Sequence, residues 1–335
     1  MYAPPFTLSA KAVNLIAEIY ALLEHFNIKE VAENELRLRK VNRIKTIHSS
    51  LAIEGNNLTE GQVADIINGK NVVAPIREIQ EVKNAIQVYN IYDTLNPFKE
   101  KDLLKAHSIM MQALIDAPGR YRSAGVGVYG EKGLVHMAPP PQRVPELMGD
   151  LFKWLVKAED NLLVRSCVFH YEFEFIHPFM DGNGRIGRLW QSLILGRLNP
   201  VFSHLPVENM VYSSQQEYYD AIAASTANAD SGPFIDFMLG EIVKTLRDAK
   251  VNKKSDDKVA NKVANKVTNK SDFKFLYSIF EKPNITIKEL SEELRMSESG
   301  VKKIITRLSQ GGLIKREGSR KRGNWVLLFD INELK

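Results

Sequence analysis

Apolar residues fill one long stretch of the chain, stop at a short polar segment and then resume. Residues 162–175 form an apolar run that fits a helix, and beyond the polar segment apolar side chains return at helical spacing. Between the two runs, Pro178 cannot sit inside a helix, while Gly182 and Gly184 permit positive φ angles and a close approach of the backbone. The returning apolar positions are Leu189, Trp190, Leu193, Ile194 and Leu198. The pattern predicts a helix, a tight loop and a second helix that begins near Gly184.

Helical periodicity also covers most of the remaining chain up to residue 249. The predicted helices lie at residues 10–40, 42–55, 57–69, 78–95, 101–115, 144–158, 212–228 and 233–246. One hairpin interrupts them at about 125–136, where apolar β-branched residues flank a loop with two glycines, Gly130 and Gly133. We therefore predict a mainly α-helical bundle with a single β-hairpin.

The pattern changes after residue 250, where Val-Ala-Asn-Lys, Val-Ala-Asn-Lys and Val-Thr-Asn-Lys follow one another. One strongly apolar position in four fits either a thin helix with a valine stripe or a solvated basic linker. We favour a linker over residues 250–271, because so narrow a stripe buries little surface. Residues 272–335 then predict three short helices and two strands around a loop at 318–323. This order resembles a winged helix-turn-helix, a small domain whose recognition helix contacts DNA.

The charge of the chain agrees with a separate role for this C-terminal part. Residues 250–335 carry 20 basic and 11 acidic side chains, whereas residues 1–249 carry 25 and 29. A basic surface suits an acidic partner such as nucleic acid. The resemblance implies DNA contacts from the recognition helix and the loop between the strands. These candidates are Lys302, Lys303, Arg307, Arg320, Lys321 and Arg322. Winged helices also serve as protein-interaction and dimer modules, and that alternative stays open.

The loop between the two apolar helices carries the candidate chemistry. It leads into a helix N-terminus, where free N–H groups and the helix dipole favour an anion. Arg185 and Arg188 lie on one face of the first turn and suit bidentate bonds to phosphate. Asp181 offers the hard oxygen ligands that Mg²⁺ prefers, and His177 titrates near neutrality, as a general base must. A calcium loop is excluded, because its fifth and twelfth positions would be Arg185 and Ser192.

Residues 177–188 resemble, without a mismatch, the signature of the Fic family, His-x-Phe-x-Asp/Glu-Gly-Asn-Gly-Arg-x-x-Arg. Members mostly transfer AMP from ATP to a hydroxyl of a target protein. The resemblance implies that His177 is the general base and that Asp181 is the Mg²⁺ ligand. It implies nucleotide binding by Gly182, Asn183, Gly184, Arg185, Gly187 and Arg188. In family members that act as kinases a lysine replaces the second glycine, so Gly184 favours AMP transfer.

An upstream segment resembles the inhibitory motif of the same family, Ser/Thr-x-x-x-Glu-Gly/Asn. Ser50 and Glu54 occupy its two polar positions, and Gly55 ends a helix predicted at about 42–55. The resemblance implies that Glu54 pairs with Arg188 and takes the place of the γ-phosphate of ATP. A solvated Glu54 without any inhibitory role is the alternative.

Two further segments acquire candidate roles from the resemblance. The hairpin corresponds to the family's flap, which lies over the active site and holds a target segment by backbone pairing; Val128, Tyr129 and Gly130 are its candidate contacts. Tyr218 and Tyr219 correspond to a pair that lines the adenine pocket. Ala229 stands where the family has a glycine, in a segment that otherwise matches Gly-Asp-x-x-Pro-Phe.

Composition adds few constraints. Cys167 is the only cysteine, which excludes an internal disulfide and fits a reducing compartment. No run is long and apolar enough to span a bilayer, and residues 1–5 do not read as a signal peptide. These observations predict a cytoplasmic protein without a membrane partner. A homodimer stays open.

The sequence therefore predicts an N-terminal helical region at 1–96, a Fic catalytic core at 97–249, the linker and the winged helix. The predicted reaction is Mg²⁺-dependent transfer of AMP from ATP, restrained by Glu54. Two rivals stay open. One keeps the site but removes AMP from a modified protein, or transfers another nucleotide. The other is a DNA-binding regulator whose nucleotide site acts as a sensor.

Overall fold

The computed structural model describes residues 2–26, 35–130, 133–203, 205, 207–264, 270–318 and 323–328. These residues divide between two compact units, Met1–Asp248 and Ala249–Lys335. None of the helices in these ranges has the length and apolar character needed to cross a membrane.

The first unit is a helical bundle with one hairpin, which confirms the predicted fold class. Its helices are α1 Ala10–Leu23, α2 Glu35–Ala52, α3 Glu60–Ile67, α4 Ile76–Asn90, α5 Glu100–Met110, α6 Val144–Lys157, α7 Leu162–Ile176, α8 Asn183–Leu198, α9 Val207–Ser213 and α10 Gln215–Asn228. Short 3₁₀ turns lie at Tyr92–Thr94, Pro141–Arg143 and Pro200–Ser203. The hairpin consists of the antiparallel strands β1 Gly127–Gly130 and β2 Gly133–Met137, with an irregular register between Val128 and Tyr129.

Helices α7 and α8 form the centre of the bundle. All residues of α7 except Leu162, Arg165 and Phe175 are buried, as is most of α8 up to Leu195. An apolar run this continuous fits a helix that is covered on every side. The loop between these helices is therefore held by two rigid, buried elements.

Helix α2 lies against α9 and α4. Ser49 donates a hydrogen bond to Asn209 of α9, and Arg43 donates to the carbonyl of Ile86 and to Asn90 at 2.8 and 2.7 Å. The helix ends at Ala52, and a turn follows in which Gly55 has a φ of 88°. Glycine is the residue best suited to this conformation.

The predicted single helix at 10–40 is wrong. Helix α1 ends at Leu23, where the N–H of Glu24 bonds the carbonyls of both Tyr20 and Leu22 and so tightens the last turn. Residues 27–34 lie outside the described part of the chain.

The preferred linker at 250–271 is also wrong over most of its length, because helix α11 runs from Gly232 to Ala264. It starts on buried residues of the bundle, including Phe234, Met238 and Leu246. Adding a residue to an existing helix is far less costly than starting one, so the repeat prolongs the helix although its valine stripe is narrow.

The second unit contains a winged helix-turn-helix domain, as predicted. Helices α12 Lys270–Glu281, α13 Ile287–Leu294 and α14 Glu298–Gln310 precede the antiparallel strands β3 Ile314–Glu317 and β4 Asn324–Leu327. Trp325 packs in their core and donates from its indole N–H to the carbonyl of Ile285 at 3.1 Å.

Candidate active site

The loop between α7 and α8 is closed by its own side chains. Helix α7 ends at His177 in a left-handed conformation with φ 49°, and Gly182 at the start of α8 has a φ of 88°. The amide of Asn183 accepts a hydrogen bond from the N–H of Phe179 and donates one to its carbonyl, both at 2.9 Å. A Cβ atom at Gly182 would lie 2.6 Å from Sδ of Met111, so only glycine fits there.

A histidine on α5, His107, supports this loop. The ring of His107 stacks on Phe179 with a centroid distance of 3.6 Å. Its Nδ1 accepts from the N–H of Gly119 at 2.8 Å, which leaves the proton on Nε2 to donate to the carbonyl of Asp181 at 3.0 Å. Burial lowers the pKa of His107 to about 4. It therefore acts as a neutral support for the loop.

A buried arginine, Arg122, ties the same loop to the segments on either side of the hairpin. Its Nε donates to the carbonyl of His177 at 2.8 Å, and its Nη2 donates to that of Ile176 at 3.2 Å and to that of Pro139 at 2.5 Å. Sequence analysis gave Arg122 no role. Its partners are backbone carbonyls, and the identity of the residues there gives no sign of them.

Arg188 and Glu54 meet as the inhibitory motif predicts. Nη2 of Arg188 lies 2.8 Å from Oε1 of Glu54 and donates to the carbonyl of Ser50 at 2.9 Å. The arginine side chain is 2% exposed and the glutamate 27%. Burial alone would lower the pKa of Arg188, but the charge of Glu54 raises it overall, so the guanidinium stays cationic. A Cβ atom at Gly184 would lie 2.5 Å from Oε1 of Glu54, so the pair lies directly over the N-terminal turn of α8.

Arg185 contacts different acidic side chains from those that Arg188 contacts. Its Nη2 donates to Oδ1 of Asp181 at 2.8 Å, and its Nη1 lies 3.5 Å from Oε1 of Glu81 on α4. Arg77, also on α4, donates to Oδ2 of Asp181 at 3.3 Å. Both oxygens of the predicted Mg²⁺ ligand therefore contact arginines, one of which the sequence did not point to.

Within the described ranges, no group of three or more His, Cys, Asp or Glu side chains could hold a metal by itself. Mg²⁺ is commonly bound by one or two carboxylates together with substrate phosphates and water. Asp181 fits such a site if phosphate oxygens supply further ligands and if its contacts with Arg77 and Arg185 give way.

The predicted adenine pair divides between two environments. Tyr218 is 3% exposed, and its hydroxyl lies 3.0 Å from Nε2 of His170 inside the bundle. Tyr219 is only partly buried and packs against Tyr218 at a centroid distance of 5.3 Å. Of the pair, Tyr219 is thus the better placed to meet a ligand. The flap candidates Val128, Tyr129 and Gly130 form β1, and the structure describes only their backbone.

The predicted DNA-contact residues differ in their exposure and in their contacts. Lys302 and Lys303 are exposed on α14. Arg307, on the same helix, instead pairs with Asp272 of α12, which is fully buried. Arg320, Lys321 and Arg322 lie outside the described residues.

Two models of known families match this chain, one within each of the two units. The model of the Fic/DOC family matches residues 97–195, and that of the winged helix-turn-helix DNA-binding domain matches residues 268–315. A crystal structure of a Fic family protein from Desulfovibrio desulfuricans G20 is 39% identical, covers 97% of this chain and 98% of that chain, and has a TM-score of 0.79.

Curated relatives match over shorter stretches. The protein adenylyltransferase Fic of Nematostella vectensis is 28% identical over 207 residues, covering 57% of this chain and 45% of the relative. The protein adenylyltransferase fic-1 of Caenorhabditis elegans is 28% identical over 240 residues, covering 67% and 44%. The chain thus spans less than half the length of these relatives.

Fold and site together define a helical-bundle protein in which a loop with a histidine and a carboxylate leads into an arginine-bearing helix. The near-complete match to the Desulfovibrio protein at 39% identity identifies the family. This chain belongs to the Fic family and carries a C-terminal winged helix-turn-helix domain.

Proposed function

We propose that the protein transfers AMP from ATP to a hydroxyl group of a target protein and that Glu54 restrains this activity. One observation carries the proposal: Glu54 holds Arg188 at 2.8 Å over the start of α8, where no side chain caps the helix. An uncapped helix N-terminus with a buried arginine beside it suits the phosphates of a nucleotide. The names of the curated relatives, protein adenylyltransferases, support AMP as the group transferred.

In this proposal, His177 takes the proton of the target hydroxyl as its oxygen attacks the α-phosphorus of ATP. The new bond joins that oxygen to phosphorus, the bond between the α-phosphorus and the bridging oxygen breaks, and pyrophosphate leaves. Amides at the start of α8 and the side chains of Arg185 and Arg188 hold the phosphates. Mg²⁺ at Asp181 would neutralise phosphate charge. The target segment pairs with the flap strand β1.

Autoinhibition follows from the place that Glu54 takes. A carboxylate on Arg188 excludes a γ-phosphate from the same guanidinium, so ATP binds displaced and its α-phosphorus is misaligned for attack. Removing Glu54 frees Arg188, which is then the partner of the nucleotide. The test compares Glu54→Gly with the unchanged protein by incubation with ATP labelled on the α- or γ-phosphate and a cell lysate.

We expect Glu54→Gly to raise labelling of lysate proteins from α-labelled ATP about tenfold or more, with no rise over the lysate alone from γ-labelled ATP. His177→Ala in the Glu54→Gly background should abolish the labelling, and mass spectrometry should identify AMP on a hydroxyl side chain. A folded Glu54→Gly protein that transfers no label would overturn the proposal. Label lost from modified proteins when the unchanged protein is added would instead support AMP removal.

A second function, binding of duplex DNA, is favoured by the winged-helix match and by the basic C-terminal part. Exposed Lys302 and Lys303 on the recognition helix α14 are its described candidate contacts. Specific binding of one duplex without AMP transfer, even by Glu54→Gly, would make the first unit a nucleotide sensor rather than an enzyme.

A further inference from the structure

A buried carboxyl group lies beside the proposed base, and the reaction described above does not use it. Glu174 lies in the last turn of α7, three residues before His177, which caps the helix in a left-handed conformation. Oε2 of Glu174 is 3.8 Å from Nδ1 of His177. The glutamate residue is 8% exposed. The carboxyl therefore reaches the imidazole from inside the bundle.

The carboxyl group of Glu174 fits into the bundle beside Gly187, but within the described part of the chain one of its oxygens lacks a hydrogen bond there. A Cβ atom at Gly187 would lie 2.6 Å from Oε1 of Glu174, so the oxygen occupies space that the missing side chain leaves in α8. Among the described residues, this buried oxygen has no hydrogen-bond partner. Burying a polar atom without a hydrogen bond lowers the stability of the folded protein, so such an atom suggests a role beyond packing.

The surroundings of Glu174 contain both signs of charge. The titratable groups that face it are His170 on α7, His177 at the C-terminal cap of α7, Arg188 on α8, Glu54 after α2, and Tyr218 and Tyr219 on α10. Burial raises the pKa of Glu174 to about 8, Arg188 opposes this rise, and Glu54 adds to it. The carboxyl is therefore neutral at neutral pH in the inhibited state, and its ionisation responds to the removal of Glu54.

We propose that Glu174 is the positioning residue for His177: its carboxyl faces Nδ1 of the imidazole, so that Nε2 is the nitrogen that takes the proton of the target hydroxyl. This inference rests on the proposed transfer of AMP. Once Nε2 is protonated, the ring carries a positive charge, and its Nδ1–H donates to Oε2 of Glu174. An acceptor on the far side of a catalytic histidine fixes both the ring orientation and the tautomer.

If Glu174 positions His177, the effect of Glu174→Gln on AMP transfer depends on pH, which a packing role would not produce. Below its pKa, Glu174 is a neutral acid, and glutamine copies its shape and charge. Above it, the carboxylate stabilises the imidazolium, and glutamine cannot. In the Glu54→Gly background this step moves below about 8, because the charge of Glu54 no longer raises the pKa of Glu174.

The experiment measures AMP transfer against pH in Glu54→Gly with and without Glu174→Gln. We expect Glu174→Gln to lower kcat about tenfold on the alkaline side and much less on the acid side, with the KM for ATP nearly unchanged. Glu174→Asp should recover part of the pH-dependent rise. An equal loss of kcat at every pH, together with a lower melting temperature, would overturn the proposal in favour of packing alone.

A second readout does not depend on catalysis. NMR of histidine-labelled protein follows the ring carbons of His177, assigned with His177→Gln, through a pH titration with Glu54 intact. We expect two inflections for His177, the second near pH 8 where Glu174 ionises, and one in Glu174→Gln. Superimposable curves would overturn the proposal. Absence of transfer in Glu54→Gly with Glu174 intact would count against the proposed function alone, and the NMR result would still decide the contact.

Discussion

Asn56 donates a hydrogen bond of 2.9 Å to Oε2 of Glu81, and the other oxygen of that carboxylate lies 3.5 Å from Nη1 of Arg185. Asn56 follows Glu54 by two residues and is buried. One carboxylate on α4 thus joins the segment that carries Glu54, the proposed inhibitory residue, to Arg185 at the proposed phosphate site. The position of Glu54 therefore depends on this anchor, the bond between Asn56 and Glu81, as well as on the contact with Arg188.

We predict that Asn56→Ala raises AMP transfer severalfold, but less than Glu54→Gly. The alanine removes the bond to Glu81 and another, of 3.2 Å, to the carbonyl of Glu78, so the turn that carries Glu54 is held less firmly. Incorporation of α-labelled ATP into lysate proteins measures the effect. Asn71→Ala changes an exposed amide away from this turn and is the matched control. Equal rates in the two variants would contradict the role of the anchor.

At the proposed Mg²⁺ site, Arg77 would compete with the metal ion for Asp181. Its guanidinium lies 3.3 Å from Oδ2 and is largely exposed, with 59% of the side chain accessible. Exposed ion pairs of this kind contribute up to about 1 kcal/mol, which corresponds to a factor of about five in affinity. In the Glu54→Gly background, Arg77→Ala should therefore lower the Mg²⁺ concentration needed for half-maximal transfer by about two- to fivefold.

Calorimetric titration with Mg²⁺ in the presence of ATP should likewise show tighter Mg²⁺ binding by the Arg77→Ala variant, without relying on turnover. Lys83→Ala removes an exposed cation from the same helix and controls for net charge. A requirement for Mg²⁺ that rises in Arg77→Ala would mean that Arg77 helps to bind the nucleotide rather than competing with the metal.

The sequence predicted the parts of this site that depend on neighbouring residues. Pro178, Gly182 and Gly184 determine the loop, and the helical period places Arg185 and Arg188 in the turn that follows. The contact between Glu54 and Arg188 came from the resemblance to the family, since 134 residues separate the two in the chain.

The residues that sequence reasoning missed make contacts that spacing does not reveal. Arg122 binds backbone carbonyls, and Glu81 and Arg77 reach the loop from another helix. Glu174 appears in the sequence as an ordinary glutamate within an aromatic run, and its meaning comes from burial beside Gly187. Buried polar groups take partners from any segment that the fold brings near, so their roles depend on tertiary structure.

A second buried carboxyl group makes the stability of the bundle depend on pH. Glu172 of α7 accepts a hydrogen bond of 3.0 Å from the hydroxyl of Tyr2, and burial raises its pKa from 4.5 to about 7, although that bond opposes the rise. The folded state therefore holds the proton more tightly than the unfolded state. The stability this contributes is present below about pH 4.5 and is lost as the pH rises through about 7.

Glutamine at this position stays neutral at every pH. We predict that Glu172→Gln raises the free energy of unfolding near pH 8 by about 2 kcal/mol and leaves it nearly unchanged near pH 4.5. Urea unfolding at the two pH values measures the difference, and Glu159→Gln, at an exposed site, is the control. A gain of the same size at both pH values would show that ionisation is not its cause.

The pairing of Arg307 with buried Asp272 separates two roles on the recognition helix α14. Lys302 and Lys303 are exposed, so the double change to alanine should weaken binding of a random-sequence duplex and reduce its salt dependence by about two counterions. It should leave unfolding of the second unit unchanged. Arg307→Ala should instead destabilise that unit by about 1–3 kcal/mol, because Asp272 is left buried without its arginine.

Fluorescence anisotropy with labelled duplex and thermal unfolding of the full chain distinguish these outcomes. Arg307→Lys keeps a cation near Asp272 but loses the planar guanidinium, so its stability should fall between those of the unchanged protein and Arg307→Ala. If Arg307→Ala unfolds like the unchanged protein and loses DNA affinity as the lysine variant does, then Arg307 is a DNA contact, and its pairing with Asp272 contributes nothing to the stability of the domain.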